Sequence, residues 1–104
     1  MAEFSDFLKL DIRVGTIIVA KVFEKAKRPA YQLKVDFGEE IGMKKSSAQI
    51  TQQYKCEDLI RKQVLGVVNF SPRQIADFMS EVLILGTYSD DGVILITPDK
   101  QVQN

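Results

Sequence analysis

The sequence predicts a mainly β fold: a five-stranded Greek-key barrel with a short amino-terminal helix and a carboxy-terminal β-hairpin. Three observations predict it. β-Branched and aromatic runs bounded by turn residues recur at Ile12 to Phe23, Tyr31 to Phe37, Ile41 to Ala48, Gln63 to Asn69 and Val82 to Thr97. A polar stretch, Thr51 to Ile60, anchored by Tyr54, Leu59 and Ile60, suits a helical turn between the third and fourth runs. Ser89-Asp90-Asp91-Gly92 divides the last run into a hairpin, because Asp-Gly tolerates positive φ.

Ser5 or Asp6 caps a short helix through Lys9, with Phe4, Phe7 and Leu8 on its apolar side. Its length makes it marginal in isolation, so it must dock on something. Gly15 inside the first long strand predicts a bulge or bend that curls the sheet. In the second run Leu33, Val35 and Phe37 share one face and Gln32, Lys34 and Asp36 the other, the alternation of a half-buried strand. Gly38-Glu39-Glu40 turns the chain into the third strand, and Pro98 ends the last. This element order is that of the oligonucleotide/oligosaccharide-binding (OB) barrel. Val82 to Leu85 and Val93 to Ile96 are apolar on both parities, so both faces of that hairpin want cover. Either the amino-terminal helix supplies it or a second chain does, and a twofold homodimer is the expected solution.

The 104 residues, 45% hydrophobic and 27% charged, make one domain spanning 1–104 with a core large enough to fold without disulfides or metals. No apolar run approaches the ~20 residues of a membrane helix, so no membrane insertion is expected. The opening Met1-Ala2-Glu3-Phe4-Ser5-Asp6 lacks the regions of a secretory leader. Cys56 is the single cysteine, which fits a reducing cytoplasm. Without histidine to activate it, Cys56 reads as a spectator thiol, and Ser-His, Cys-His and His-metal chemistry are excluded. No cofactor, metal or catalytic activity is expected. Net charge is zero, yet residues 21–73 carry eleven basic against six acidic residues and residues 74–104 one against five. A basic middle is thus permitted, while overall neutrality counts against tight nucleic-acid binding.

The most telling stretch runs from Asn69 to Glu81, where polar and aromatic residues crowd between two strands. Core packing does not require them there, and loops held by strands commonly carry recognition. Three features are expected to meet on one barrel face: the loop Lys25 to Tyr31 with three cations, the polar run Lys44 to Gln53, and this segment. The candidate ligand-binding residues are Lys44, Ser46, Ser47, Gln49, Asn69, Phe70, Arg73, Phe78, Ser80 and Glu81. Asn and Gln amides both donate and accept, matching a peptide bond in either orientation. Phe70 and Phe78 suit apolar side chains or stacked bases. Arg73 can fork onto a carboxylate or a phosphate, or serve as a structural partner of Glu81. Lys44 and Lys45, taken alone, read as guards of a solvated edge strand.

Asp11-Ile12-Arg13-Val14-Gly15, Tyr31 to Gly38, Lys44 to Thr51 and Asn69 to Leu85 together resemble the tRNA-binding-domain superfamily. Lys45-Ser46-Ser47-Ala48-Gln49-Ile50-Thr51 and the motif spanning 69–83 resemble most its CsaA-type secretion chaperones. The resemblance covers nearly the whole chain. It implies a homodimer joined through terminal segments, unfolded polypeptides or preproteins as ligands, and the preprotein translocase ATPase as a partner. The tRNA-binding branch follows Asn-Leu-Lys-Pro with Arg-Lys-Met-Arg-Gly. Here Ser71, Gln74, Ile75, Ala76 and Asp77 replace Lys, Lys, Met, Arg and Gly, removing three positive charges and adding a negative one. Fewer phosphate partners imply weak tRNA binding with a shallow salt dependence. The expected function is an ATP-independent, export-related chaperone; the alternative is a tRNA- or RNA-binding module.

Overall fold

β1 (Ile12–Val22) is the long strand on which the barrel is wound. The computed structural model describes residues 1–104. The first half of β1 pairs antiparallel with β4 (Gln63–Val67), Gly15 opposite Val64. Its second half pairs with β2 (Tyr31–Asp36), Ala20 opposite Leu33, and β2 pairs in turn with β3 (Met43–Ala48). The sheet order is β3-β2-β1-β4-β7, where β7 is Leu83–Ile84. One strand thus serves two neighbours, and that requires it to bend. The bend is a bulge between Ile17 and Val19, two to four residues beyond the expected place. Gly15 has a different task. A Cβ there would sit 2.5 Å from Val35 Cγ1 and 2.7 Å from the Phe37 ring, so its bare backbone lets side chains of β2 and the residue after it lie across β1.

The core holds Leu33, Val35 and Phe37, the face the alternation in the second run turns inward. Ile17, Leu33, Val35, Phe37, Val64, Val82 and Leu95 are buried together. The short helix α2 (Cys56–Leu59) adds Leu59, fully buried, within the predicted polar stretch. Tyr31 donates its hydroxyl to the Tyr54 carbonyl (2.7 Å), and the Tyr54 hydroxyl accepts the Leu95 N–H (3.0 Å), tying this linker to the barrel.

α1 (Phe4–Leu8) begins a residue before the expected caps; Asp6 acts from inside the first turn, its carboxylate accepting the Glu3 N–H at 2.9 Å. The helix buries none of its residues and leaves Phe4, Phe7 and Leu8 exposed. It does not cover the carboxy-terminal hairpin, where Leu83 and Ile94 remain exposed. That hairpin is also broken at Leu85. β7 stays in the barrel sheet, whereas β8 (Gly86–Ser89) and β9 (Gly92–Leu95) form a separate ribbon with Gly92 at φ 107°. Leu65, Leu85 and Ile96 exchange backbone hydrogen bonds that root the ribbon in the barrel.

Residues expected as a loop between two strands contain a miniature hairpin. β5 (Arg73–Ile75) pairs with β6 (Phe78–Ser80) around a tip at Ala76-Asp77, with Ala76 at φ 53°. This hairpin and β7 close the barrel onto β3 largely by side chains. Glu81 donates its N–H to the Lys45 carbonyl (2.7 Å) and accepts the Lys45 N–H on Oε1 (2.9 Å). Ser80 Oγ accepts the Ser47 N–H (3.0 Å), and Ser46 Oγ donates to the Val82 carbonyl (3.1 Å). No regular strand ladder is available at this seam, so hydroxyl and carboxylate groups stand in for it.

Candidate functional site

The closure just described opens a groove beside it. The β1–β2 loop, the end of β3, the β5–β6 hairpin and the β7–β9 segment enclose a cleft of about 1000 Å³. Its walls differ in character. Lys25, Lys27 and Arg28 from the loop and Arg73 from β5 give one cationic side. Leu83, Leu85, Tyr88 and Val93 give an apolar one, and Ser47, Gln49 and Ile50 run between them. No carboxylate lines the cleft. Tyr88 is 95% exposed, an aromatic with nothing packed over it.

The cations are not equivalent. Lys25 Nζ lies 2.8 Å from Asp77 Oδ2 at the hairpin tip, which raises the lysine pKa and lowers that of the carboxylate, in both cases chiefly through the shared hydrogen bond. Lys27, Arg28 and Arg73 belong to no ion pair. Arg73 therefore does not pair with Glu81, whose carboxylate is committed to the Lys45 N–H. The contrast is Arg13, bound to Asp11 at 2.6 Å and Glu40 at 3.2 Å on the far part of β1.

Of the ten candidate residues, Ser47, Gln49 and Arg73 line the groove. Ser46 is wholly buried and serves the seam, as do Ser80 and Glu81 through the bonds given above. Asn69 is also spoken for: its Oδ1 accepts the Asp11 N–H (2.9 Å) and its Nδ2 donates to the Lys9 carbonyl (2.8 Å). It staples the amino-terminal segment to the end of β4. Phe78 packs edge-on against Phe23 at 5.4 Å, with Lys45 Nζ 5.4 Å from its ring centre, so it supports the groove from behind. Lys44 and Phe70 lie outside the groove's walls, Phe70 exposed and Lys44 half-buried on β3.

Sequence reasoning missed Gln74, Ile75 and Ala76 and the apolar wall of Leu83, Leu85, Tyr88 and Val93. Their signal was the hairpin that is apolar on both parities, read there only as a demand for cover. Burial and the neighbouring Glu57 push the Cys56 thiol upward, away from the thiolate a nucleophile needs. No group of three or more Cys, Asp or Glu stands close enough to hold a metal ion. No helix is long and apolar enough to cross a membrane.

An OB barrel with a groove against its fourth-to-fifth strand connection defines a class of binding domain. Residues 12–104 match the family described as a putative tRNA binding domain, and the chain belongs to that family. Solved structures of CsaA chaperones resemble the chain over nearly its full length, and so does, at 26% identity and a TM-score of 0.83, a MetRS related protein from Pyrococcus horikoshii. The CsaA chaperone protein of Picrophilus torridus is 54% identical with a TM-score of 0.94, the match covering 98% of this chain and 94% of that one. The chaperone CsaA of Bacillus anthracis is 50% identical with a TM-score of 0.91, covering 100% of this chain and 94% of that one. The methionine–tRNA ligase of Parabacteroides distasonis is 40% identical over 102 residues, which are 97% of this chain but 15% of the ligase. The chain thus spans a small appended part of such ligases.

Proposed function

We propose that this chain is an ATP-independent chaperone that holds unfolded polypeptides, export preproteins among them, in the groove between the β1–β2 loop and the β7–β9 segment. The observation that carries the reading is the full-length likeness, at about half identity, to two proteins described as CsaA chaperones. The chemistry of the groove supports it. The apolar wall takes aliphatic and aromatic side chains, Gln49 and Gln74 match peptide amides in either sense, and Arg28 and Arg73 meet acidic groups. A mixed wall of this kind tolerates many sequences, as a holding protein requires.

The working form is a cytoplasmic homodimer. Phe4, Phe7 and Leu8 on α1, 75%, 57% and 63% exposed, have no cover within the chain, and their burial against a second copy supplies the association energy. Delivery of clients to the preprotein translocase ATPase follows from the resemblance to secretion chaperones.

A second reading, an RNA-binding module, is favoured by the three unpaired cations of the groove and by the family. The experiment that separates the two offers the purified protein an unfolded preprotein and bulk tRNA together at near-physiological salt. The proposed function predicts retention of the polypeptide. Displacement of the polypeptide by tRNA, with a steep fall of log affinity against log salt, overturns it.

A further inference from the structure

The two elements of the groove's cationic side, the β1–β2 loop and the β5–β6 hairpin, are held together by two side-chain contacts. Phe23, at the root of the β1–β2 loop, packs edge-on against Phe78 of β6. Beyond that contact the Lys25 ammonium meets the Asp77 carboxylate at 2.8 Å, 52 residues apart in sequence. The aromatic pair places the loop against the hairpin, and the ion pair closes over it at the tip. Asp77 follows Ala76, whose backbone lies in the left-handed region, at the tip between β5 and β6.

Asp77 is the only acid bonded to any of the four cations that line the groove. A phosphodiester strand gains affinity by engaging several cations at once, each contact releasing counterions. Lys25 is the member of the row that such a strand finds occupied, and displacing Asp77 leaves a fixed negative charge beside the phosphates. An extended polypeptide carries charge sparsely and depends on the apolar wall, so the same carboxylate disturbs it little. We infer that Asp77, clasped to Lys25 at the edge of the groove's cationic side, is a specificity-determining residue that turns a cationic groove away from polyphosphate strands and towards polypeptide. The inference rests on the proposed function for what the groove accepts, but its effect on nucleic acid is measurable independently.

The test uses Asp77→Asn, which keeps the shape and removes the charge, with a twelve-residue oligouridylate and an unfolded polypeptide titrated separately. The variant should bind the oligonucleotide roughly two- to fivefold tighter at low salt, the effect expected of one exposed charge. Its slope of log affinity against log salt should steepen by about 0.7, one additional phosphate contact on a single strand. The ratio of oligonucleotide to polypeptide affinity should rise accordingly, and adding Lys25→Ala should reverse the gain. An unchanged slope, or equal gains for both ligands, overturns the inference. Absence of polypeptide binding by the parent protein overturns the proposed function instead, while the oligonucleotide slope still decides the role of Asp77.

Discussion

Replacing Ser46 by alanine separates a structural hydroxyl from a ligand-binding one. Ser46 is fully buried on β3, and its hydroxyl donates to the Val82 carbonyl at 3.1 Å across the seam that closes the barrel. Alanine removes the donor, leaves that carbonyl without its partner and creates almost no cavity, so the loss is close to that of one buried hydrogen bond. Stranding a buried acceptor costs about 1–3 kcal/mol. For a domain of this size each kcal/mol lowers Tm by roughly 4–8 °C, so the expected fall is roughly 5–20 °C. Circular-dichroism melts at one fixed protein concentration read it, since association makes Tm concentration-dependent. Polypeptide affinity measured well below the transition should stay near that of the parent. A Tm within about 2 °C of the parent refutes the closure argument. So does a loss of polypeptide binding in a variant that melts normally.

Asn69→Ala should free the amino-terminal segment, since both ends of its amide are engaged there. Amide exchange at Asp11 should accelerate while Ser47 keeps its protection, at a stability cost of about 1 kcal/mol for two exposed bonds. Phe4→Ser with Phe7→Ser removes four rings from a homodimer and should weaken self-association by roughly four to nine powers of ten, at about 1.5–3 kcal/mol of burial per ring; sedimentation equilibrium checks this, and an unaltered dimer mass would place α1 outside the interface. Arg73→Gln should reduce affinity for an acid-bearing peptide about two- to fivefold, the scale of an exposed ion pair. It should leave Tm unchanged because Arg73 has no ion-pair partner to lose. Titration calorimetry with acidic and neutral versions of one peptide reads that difference.

Most of the barrel was legible because its strands are long enough to show their period. The alternation of Leu33, Val35 and Phe37 and the β-branched run of β1 each extend over several residues, and the core follows them. The β5–β6 hairpin was not legible. Its strands have three residues each, too few for alternation to register, and its left-handed turn position is filled by Ala76 where glycine would have signalled it. Gly15 was read as a bulge because sequence shows a missing side chain without showing what approaches it; here Val35 and Phe37 do.

The candidate site was legible in its location more than in its membership. Ser46, Ser80 and Glu81 stand out as polar residues among apolar ones, which ligand contact and barrel closure both produce. Their partners lie 33 to 36 positions away in the chain, so only the fold reveals which cause applies. Arg73 lines the groove, and of the two readings the sequence leaves open for it the structural pair with Glu81 does not form. The apolar wall escaped notice because exposed leucines on a hairpin read as unsatisfied core until the opposite lip is seen.

The most direct test of the account is a backbone NMR titration of the protein with an unfolded polypeptide. The account predicts shifts concentrated at Ser47 to Ile50, Arg73 to Ala76 and Leu83 to Val93, on both lips of one groove. Shifts confined to Asn69, Phe70 and the α1 segment, with those three stretches silent, would contradict it.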